Sequence, residues 1–113
     1  MSTINRSGKP EILFEENAEK YNSLVKAGKP PDLTNKNLSD LDLRAFDLKT
    51  ANLKGAYLRG ANLKGVDLSE ANLDGVSIKN ALISGCLFPR GLSACEIQLS
   101  NTLGTRMRQN DAK

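Results

Sequence analysis

Acid–base catalysis near neutral pH most often uses histidine, and the 113-residue chain has none. The remaining candidates for chemistry are the carboxylates Asp42, Asp47 and Asp67, a run of cations from Arg44 to Lys64, and the thiols of Cys86 and Cys95. The three carboxylates stand at multiples of five residues from one another. Each falls at the same outward position of a short repeating unit, where Asp and Asn usually accept hydrogen bonds from corner amides rather than move protons. The glycines follow the same fivefold register and show no phosphate-loop spacing. No catalytic residue, metal cluster or cofactor box is assigned, and the chain reads as a non-enzyme without cofactors.

The elements that must position these residues follow from the repeat. A period of five runs without a slip from Pro31 to Arg90, giving twelve units. The third residue of each unit is large and apolar: Leu33, Leu38, Leu43, Leu48, Leu53, Leu58, Leu63, Leu68, Leu73, Ile78, Ile83 and Phe88. Two residues earlier the side chains are mostly small and apolar from the third unit, Leu41, onward. The first four occupants, Pro31, Lys36, Leu41 and Phe46, depart from this and read as the transition to a cap. A period of five is neither 3.6 nor 2, so each unit must combine an extended step with a bend. Gly55, Gly60, Gly65, Gly75 and Gly85 close their units, where a corner calls for positive φ.

Ala51-Asn52-Leu53-Lys54-Gly55, Ala61-Asn62-Leu63-Lys64-Gly65 and Ala71-Asn72-Leu73-Asp74-Gly75 resemble the A(D/N)LXX signature of the pentapeptide-repeat family. The resemblance implies an all-β solenoid, a right-handed quadrilateral β-helix with four units per coil. Twelve units then make about three coils, stacked at ~4.8 Å and roughly 14 Å tall.

The flanks complete the domain map. Residues 1 to 9 and 106 to 113 carry no apolar pattern and are expected to be disordered. In the segment 10 to 30, Phe14, Ala18, Tyr21 and Val25 recur at helical spacing, with Gly28 as the stop. This predicts an N-terminal capping helix, although residues 11 to 14 also suit a short strand. In the segment 91 to 105, Ser93-Ala94-Cys95-Glu96 fits a capping box, Leu92 and Ile97 a hydrophobic staple, and Gly104 a stop, predicting a helix from about Ala94 to Leu103.

Charge and apolar surface bound the partners. The net charge is +3, spread without blocks. Read linearly, Arg44, Lys49, Lys54, Arg59 and Lys64 suggest a nucleic-acid patch. With four units per coil they instead form a belt, in which only Arg44 with Lys64 and Arg59 with Lys79 share a side. Specific nucleic-acid binding is therefore not expected. Topoisomerase or nucleic-acid interaction stands as the alternative function, and the basic charge and short length count against a mimic of DNA. Leu82 and Leu87 occupy outward positions that hold Asp or Asn earlier, and with Phe88, Leu92, Ile97, Leu99 and Leu103 they predict an apolar patch that something must cover. The helix after Ser93 can cover it by folding back onto its own coil, or can also meet a second copy in a homodimer through this end, as C-terminal pairing in pentapeptide-repeat proteins implies. The beginning of the chain, MSTINRSGKPEILF, has no apolar core of a signal peptide, and there is no membrane-length apolar run. The lone pair of cysteines reads as reduced thiols, so the expected setting is the cytoplasm and the expected role a partner-binding scaffold.

Overall fold

A computed structural model describes residues 8–110. The bend that the fivefold period requires is a four-residue turn in each unit. The N–H of the first residue of a unit donates to the C=O of the previous central residue, as in Ala56 to Leu53 (2.8 Å), Ala61 to Leu58 (3.0 Å) and Val76 to Leu73 (3.1 Å). Between turns, each unit touches the unit four further on through one residue. The parallel bridges join Asn37 to Tyr57, Asp42 to Asn62, Asn52 to Asn72, Tyr57 to Ser77, Asn62 to Leu82 and Asp67 to Leu87. Every pair is twenty residues apart, so four units complete one revolution of the chain. Single-residue bridges take the place of continuous strands among the described residues.

The centre of the winding is the series of third residues. Leu33, Leu38, Leu43, Leu48, Leu53, Leu58, Leu63, Leu68, Leu73 and Ile78 are all at most 1% exposed, with Ala56, Ala61 and Val76 beside them. Ile83 and Phe88 only pack against this core and remain partly exposed, because few residues follow to cover the last two units.

The corners are of two kinds. Gly60 has φ +70° and Gly65 φ +71°, and the same left-handed conformation is taken by Asn35, Asp40 and Asn80, whose side chains tolerate it. The corner residues Ala45, Thr50, Glu70 and Arg90 do not take it. A methyl group on Gly60 would run into the carboxylate of Asp40 one revolution above, whereas one on Gly65 would meet nothing within 4 Å. Gly65→Ala is expected to cost about 1 to 2 kcal/mol, the backbone penalty alone, and Gly60→Ala distinctly more. Equal melting temperatures for the two variants would refute the stacking of Asp40 on Gly60.

At the N-terminal end the expected single helix is divided. Two 3-10 turns, Glu11–Leu13 and Glu15–Asn17, precede α1 (Ala18–Lys26). Phe14 lies between the turns with extended angles, φ −76° and ψ 144°. The break turns Leu13 into the core and leaves Phe14 partly exposed, and residues 11 to 13 are neither α-helix nor strand. Helix α1 stops as its sequence predicts. Gly28 at φ +76° donates to Val25 C=O (3.1 Å), and Lys29 N–H donates to Leu24 C=O (2.9 Å), the paired bonds of a Schellman end. Tyr21 of α1 is buried against Phe46, the rings edge to face at 5.4 Å and 76°.

Helix α2 spans Ala94–Leu103. Ser93 Oγ accepts from Glu96 N–H (3.1 Å), and Gly104 closes the helix at φ +79°. Only half of the expected capping box forms, because the Glu96 carboxylate accepts instead from the Arg108 backbone (2.8 Å) and guanidinium (2.9 Å). That bond belongs to a segment expected to be disordered. Residues 106–110 lie along the third revolution: Gly75 N–H donates to Met107 C=O (2.7 Å), Met107 N–H donates to Val76 C=O (2.9 Å), and the Met107 side chain is fully buried. A single buried residue flanked by polar ones makes no period, so the sequence pattern could not reveal it. The expectations for residues 1–7 and 111–113 lie outside the described residues.

Candidate functional site

The outward second residues, which include the carboxylates first considered for catalysis, are bound into the corners of their own units. Asp42 Oδ1 accepts from Arg44 N–H (3.2 Å), Asp47 Oδ1 from Lys49 N–H (3.3 Å) and Asp67 Oδ1 from Ser69 N–H (2.9 Å). Asn37, Asn52, Asn62 and Asn72 do the same. Arg44 adds two bonds to Asp42, at 2.9 and 2.7 Å, which hold that carboxyl well below its usual range. Hydrogen bonds from Ser69 lower Asp67 in the same direction. A carboxylate stabilised in its charged form is a poor general base at neutral pH, which applies to Asp42 and Asp67, and all three Asp side chains accept from the backbone of their own corners. Among the described residues, no group of three or more His, Cys, Asp and Glu could hold a metal ion. The half-buried Cys86 thiol is pushed up to about 11 by burial and by the charge of Asp67, which keeps it protonated.

The cations divide by side of the winding. Arg44 is paired with Asp42, and Lys49 lies 3.4 Å from Glu70. Lys64 is exposed on the same side as Arg44, and Lys54 is exposed on another. On the side built from units 36–40, 56–60 and 76–80, Arg59 and Lys79 stand one revolution apart, joined by the bond from Gly60 N–H to Lys79 C=O (2.9 Å). Among the described residues neither side chain makes an ion pair. The structure adds a third cation, which the sequence reading missed. Arg106 donates to Tyr57 Oη (2.6 Å) and to Gly75 C=O (3.1 Å), with its guanidinium carbon 4.9 Å from the centre of the Tyr57 ring. Together these groups line an open cavity of about 520 Å³, walled by Asn37, Tyr57 and Ser77 from second positions and by Ser39 beside the cations. Gly104 and Leu103 at the end of α2 complete its rim.

The predicted apolar patch is brought together only in part. Leu92 is 7% exposed, and Phe88 and Ile97 pack on the core. Leu82, Leu87, Leu99 and Leu103 stay exposed, at 46%, 56%, 38% and 66%. Helix α2 explains the division. Ser100 faces the core, its hydroxyl accepting from Ile78 N–H (3.0 Å), while Asn101 turns toward Ala81 and donates to its C=O (3.0 Å). At 100° per residue, Leu99 and Leu103 then fall on the flank opposite Asn101. Leu82 and Leu87 are left on adjacent sides of the last revolution, separate from the α2 leucines.

Three side-chain amides finish the ends of the winding. Asn22 donates to Ala45 C=O (2.9 Å) and accepts from Asp47 N–H (2.8 Å), filling the place of a missing preceding revolution. Gln109 accepts from Leu73 N–H (2.7 Å) and donates to Ala71 C=O (3.3 Å) at the other end, and Asn101 serves Ile78 and Ala81.

A family model described as pentapeptide repeats matches residues 51–88, in eight copies. The match begins where the small inward residues begin. The first four units, carrying Pro31, Lys36, Leu41 and Phe46 at that position, fall outside it although Asn37 and Asp42 pair with later units. The comparisons with curated proteins and with solved structures give no match. No helix among the described residues is long and apolar enough to cross a membrane.

Proposed function

From a chain whose residues 51–88 are pentapeptide repeats, we propose a non-enzymatic, partner-binding scaffold module of the cytoplasm, wound as a right-handed quadrilateral β-helix. The constant pairing offset of twenty residues supports four units per coil, and the two free thiols, Cys86 and Cys95, suit a reducing compartment. A rigid winding whose polar corner groups bond to their own backbone is suited to presenting surfaces rather than to turning over a substrate.

The observation that carries the binding role is the exposure of Leu82 and Leu87 at positions where the preceding revolution holds Asn62 and Asp67. The partner proposed for them is a second copy of this chain. A twofold contact uses the same leucines from both copies, so two substitutions change four positions at the interface. Light scattering on the full chain is expected to give the mass of two chains, and Leu82→Glu with Leu87→Glu the mass of one. A wild type that already has the mass of one chain at high micromolar concentration would exclude the second copy as the partner.

A further inference from the structure

We infer that the cavity around Tyr57 is a binding site for a diphosphate group, whether inorganic pyrophosphate or the diphosphate of a nucleotide. It lies on a different side of the winding from Leu82 and Leu87, and it does not depend on how those leucines are covered.

Three cations converge on one side of the winding. Arg59 and Lys79 come from successive revolutions, and Arg106 comes from the segment after α2. Among the described residues, Arg44 is paired with Asp42, Lys49 with Glu70 and Arg108 with Glu96, and Lys54 and Lys64 stand singly on their sides, whereas here three cations line one cavity. Asp40 is the one carboxylate of the two units that carry Ser39 and Arg59. Its side chain is stacked over Gly60 at the corner, and it is not part of the cavity lining.

Arg106 is held in place before any ligand arrives. Two of its N–H groups are spent on Tyr57 Oη and Gly75 C=O, and its plane lies against the Tyr57 ring. A guanidinium has five N–H donors, so the remainder are free for an anion at little further entropic cost. The Lys79 stem packs against Gly104, where a methyl group would lie 3.1 Å from Lys79 Cδ. Packing of the stem limits the positions open to the ammonium. The Asn37 amide NH2 supplies a neutral donor on the same wall, while the Ser39 and Ser77 hydroxyls donate to Asn37 Oδ1 (2.6 Å) and Gly104 C=O (3.0 Å) and hold that wall in shape.

Charge and size select the ligand. Three positive groups match a diphosphate, which carries two to three negative charges, better than a single carboxylate. A volume of about 520 Å³ suits a small molecule. A nucleic-acid backbone would need phosphate contacts continued along a track. Here the three cations are confined to one side, and on the next side Asp42 neutralises Arg44 and leaves Lys64 as a single cation.

The test is calorimetric titration of the full chain with pyrophosphate and with ADP, and in parallel with inorganic phosphate, a short DNA duplex and polyglutamate. Pyrophosphate and ADP are expected to bind with Kd on the order of 0.1 mM, and inorganic phosphate at least about tenfold more weakly. Equal binding of pyrophosphate and ADP identifies the diphosphate alone as the determinant. Tighter binding of ADP adds a contact of the nucleoside with Tyr57 or Leu103. Both outcomes uphold the site. Arg59→Ala, at an exposed residue without structural bonds, is expected to weaken pyrophosphate about tenfold with an unchanged melting temperature. Arg106→Lys, which keeps the charge and loses the fork, is expected to weaken it several-fold. The inference is overturned if pyrophosphate fails to bind at about 10 mM, if the variants bind it as wild type does, or if only the duplex or polyglutamate binds.

Discussion

Leu63→Ala is expected to remove about 2 to 5 kcal/mol of stability, while Lys64→Ala, one residue along, stays within about 0.5 kcal/mol of wild type. Leu63 is fully buried in the middle revolution, with Leu43 and Ile83 at the corresponding central positions of the revolutions on either side. Its truncation loses transfer energy and leaves a hole. The backbone around the hole cannot collapse easily, since Leu63 N–H is bonded to Leu82 C=O (2.8 Å) and Val66 N–H to Leu63 C=O (3.0 Å). Lys64 is exposed, and among the described residues it has no partner beyond its backbone N–H to Asn62. Denaturant unfolding followed by circular dichroism measures both. Equal midpoints for the two variants would mean that the alternation of inside and outside has been assigned one residue out of register.

Tyr21→Ala is expected to cost about 3 to 5 kcal/mol and to release α1 from the first revolution, seen as faster amide exchange over residues 18 to 26. Tyr21 is the one side chain of α1 that is fully buried, and its contact with Phe46 is the aromatic joint between cap and winding. Tyr21→Phe keeps that joint and is expected to be close to neutral at pH 7. The two differ at high pH. Burial, followed by the charge of Asp47, pushes the Tyr21 hydroxyl up from 10.0 to about 12. The folded form therefore keeps its proton where the unfolded chain loses it. The resulting stabilisation is whole below pH 10 and is lost as the pH rises from 10 to about 12. Tyr21→Phe should flatten that part of the stability curve. An unchanged alkaline decline in Tyr21→Phe would show that the hydroxyl is not shielded by the fold.

The winding was legible in the sequence wherever a residue type recurs. The leucines of the third position and the glycines of the corners repeat often enough that their spacing alone states what they do. Left-handed corners without glycine were not legible, since Asn35, Asp40 and Asn80 look like ordinary polar residues until their φ angles are known. The ends were least legible, because each closing contact occurs once. Phe14 falls in step with the helical apolar stripe, and its extended backbone instead gives the burial to Leu13. Arg106 reaches the cavity by chain reversal after Gly104, and nothing local in its sequence points back to Tyr57. The apolar residues of the C-terminal part were found, but their division between core, winding and helix flank depends on the direction in which Ser100 and Asn101 hold α2.

The amide plugs set a rule for how this molecule can change length. Asn22 is fitted to the side that carries Ala45 and Asp47, and Gln109 to the side that carries Ala71 and Leu73. A five-residue unit inserted between residues 47 and 71 lies outside both sets of contacts, so each plug moves together with the groups it satisfies. Such an insertion turns one end a quarter of a revolution relative to the other. The two ends thus act as independent stoppers, and the height of the column is free to vary by single units.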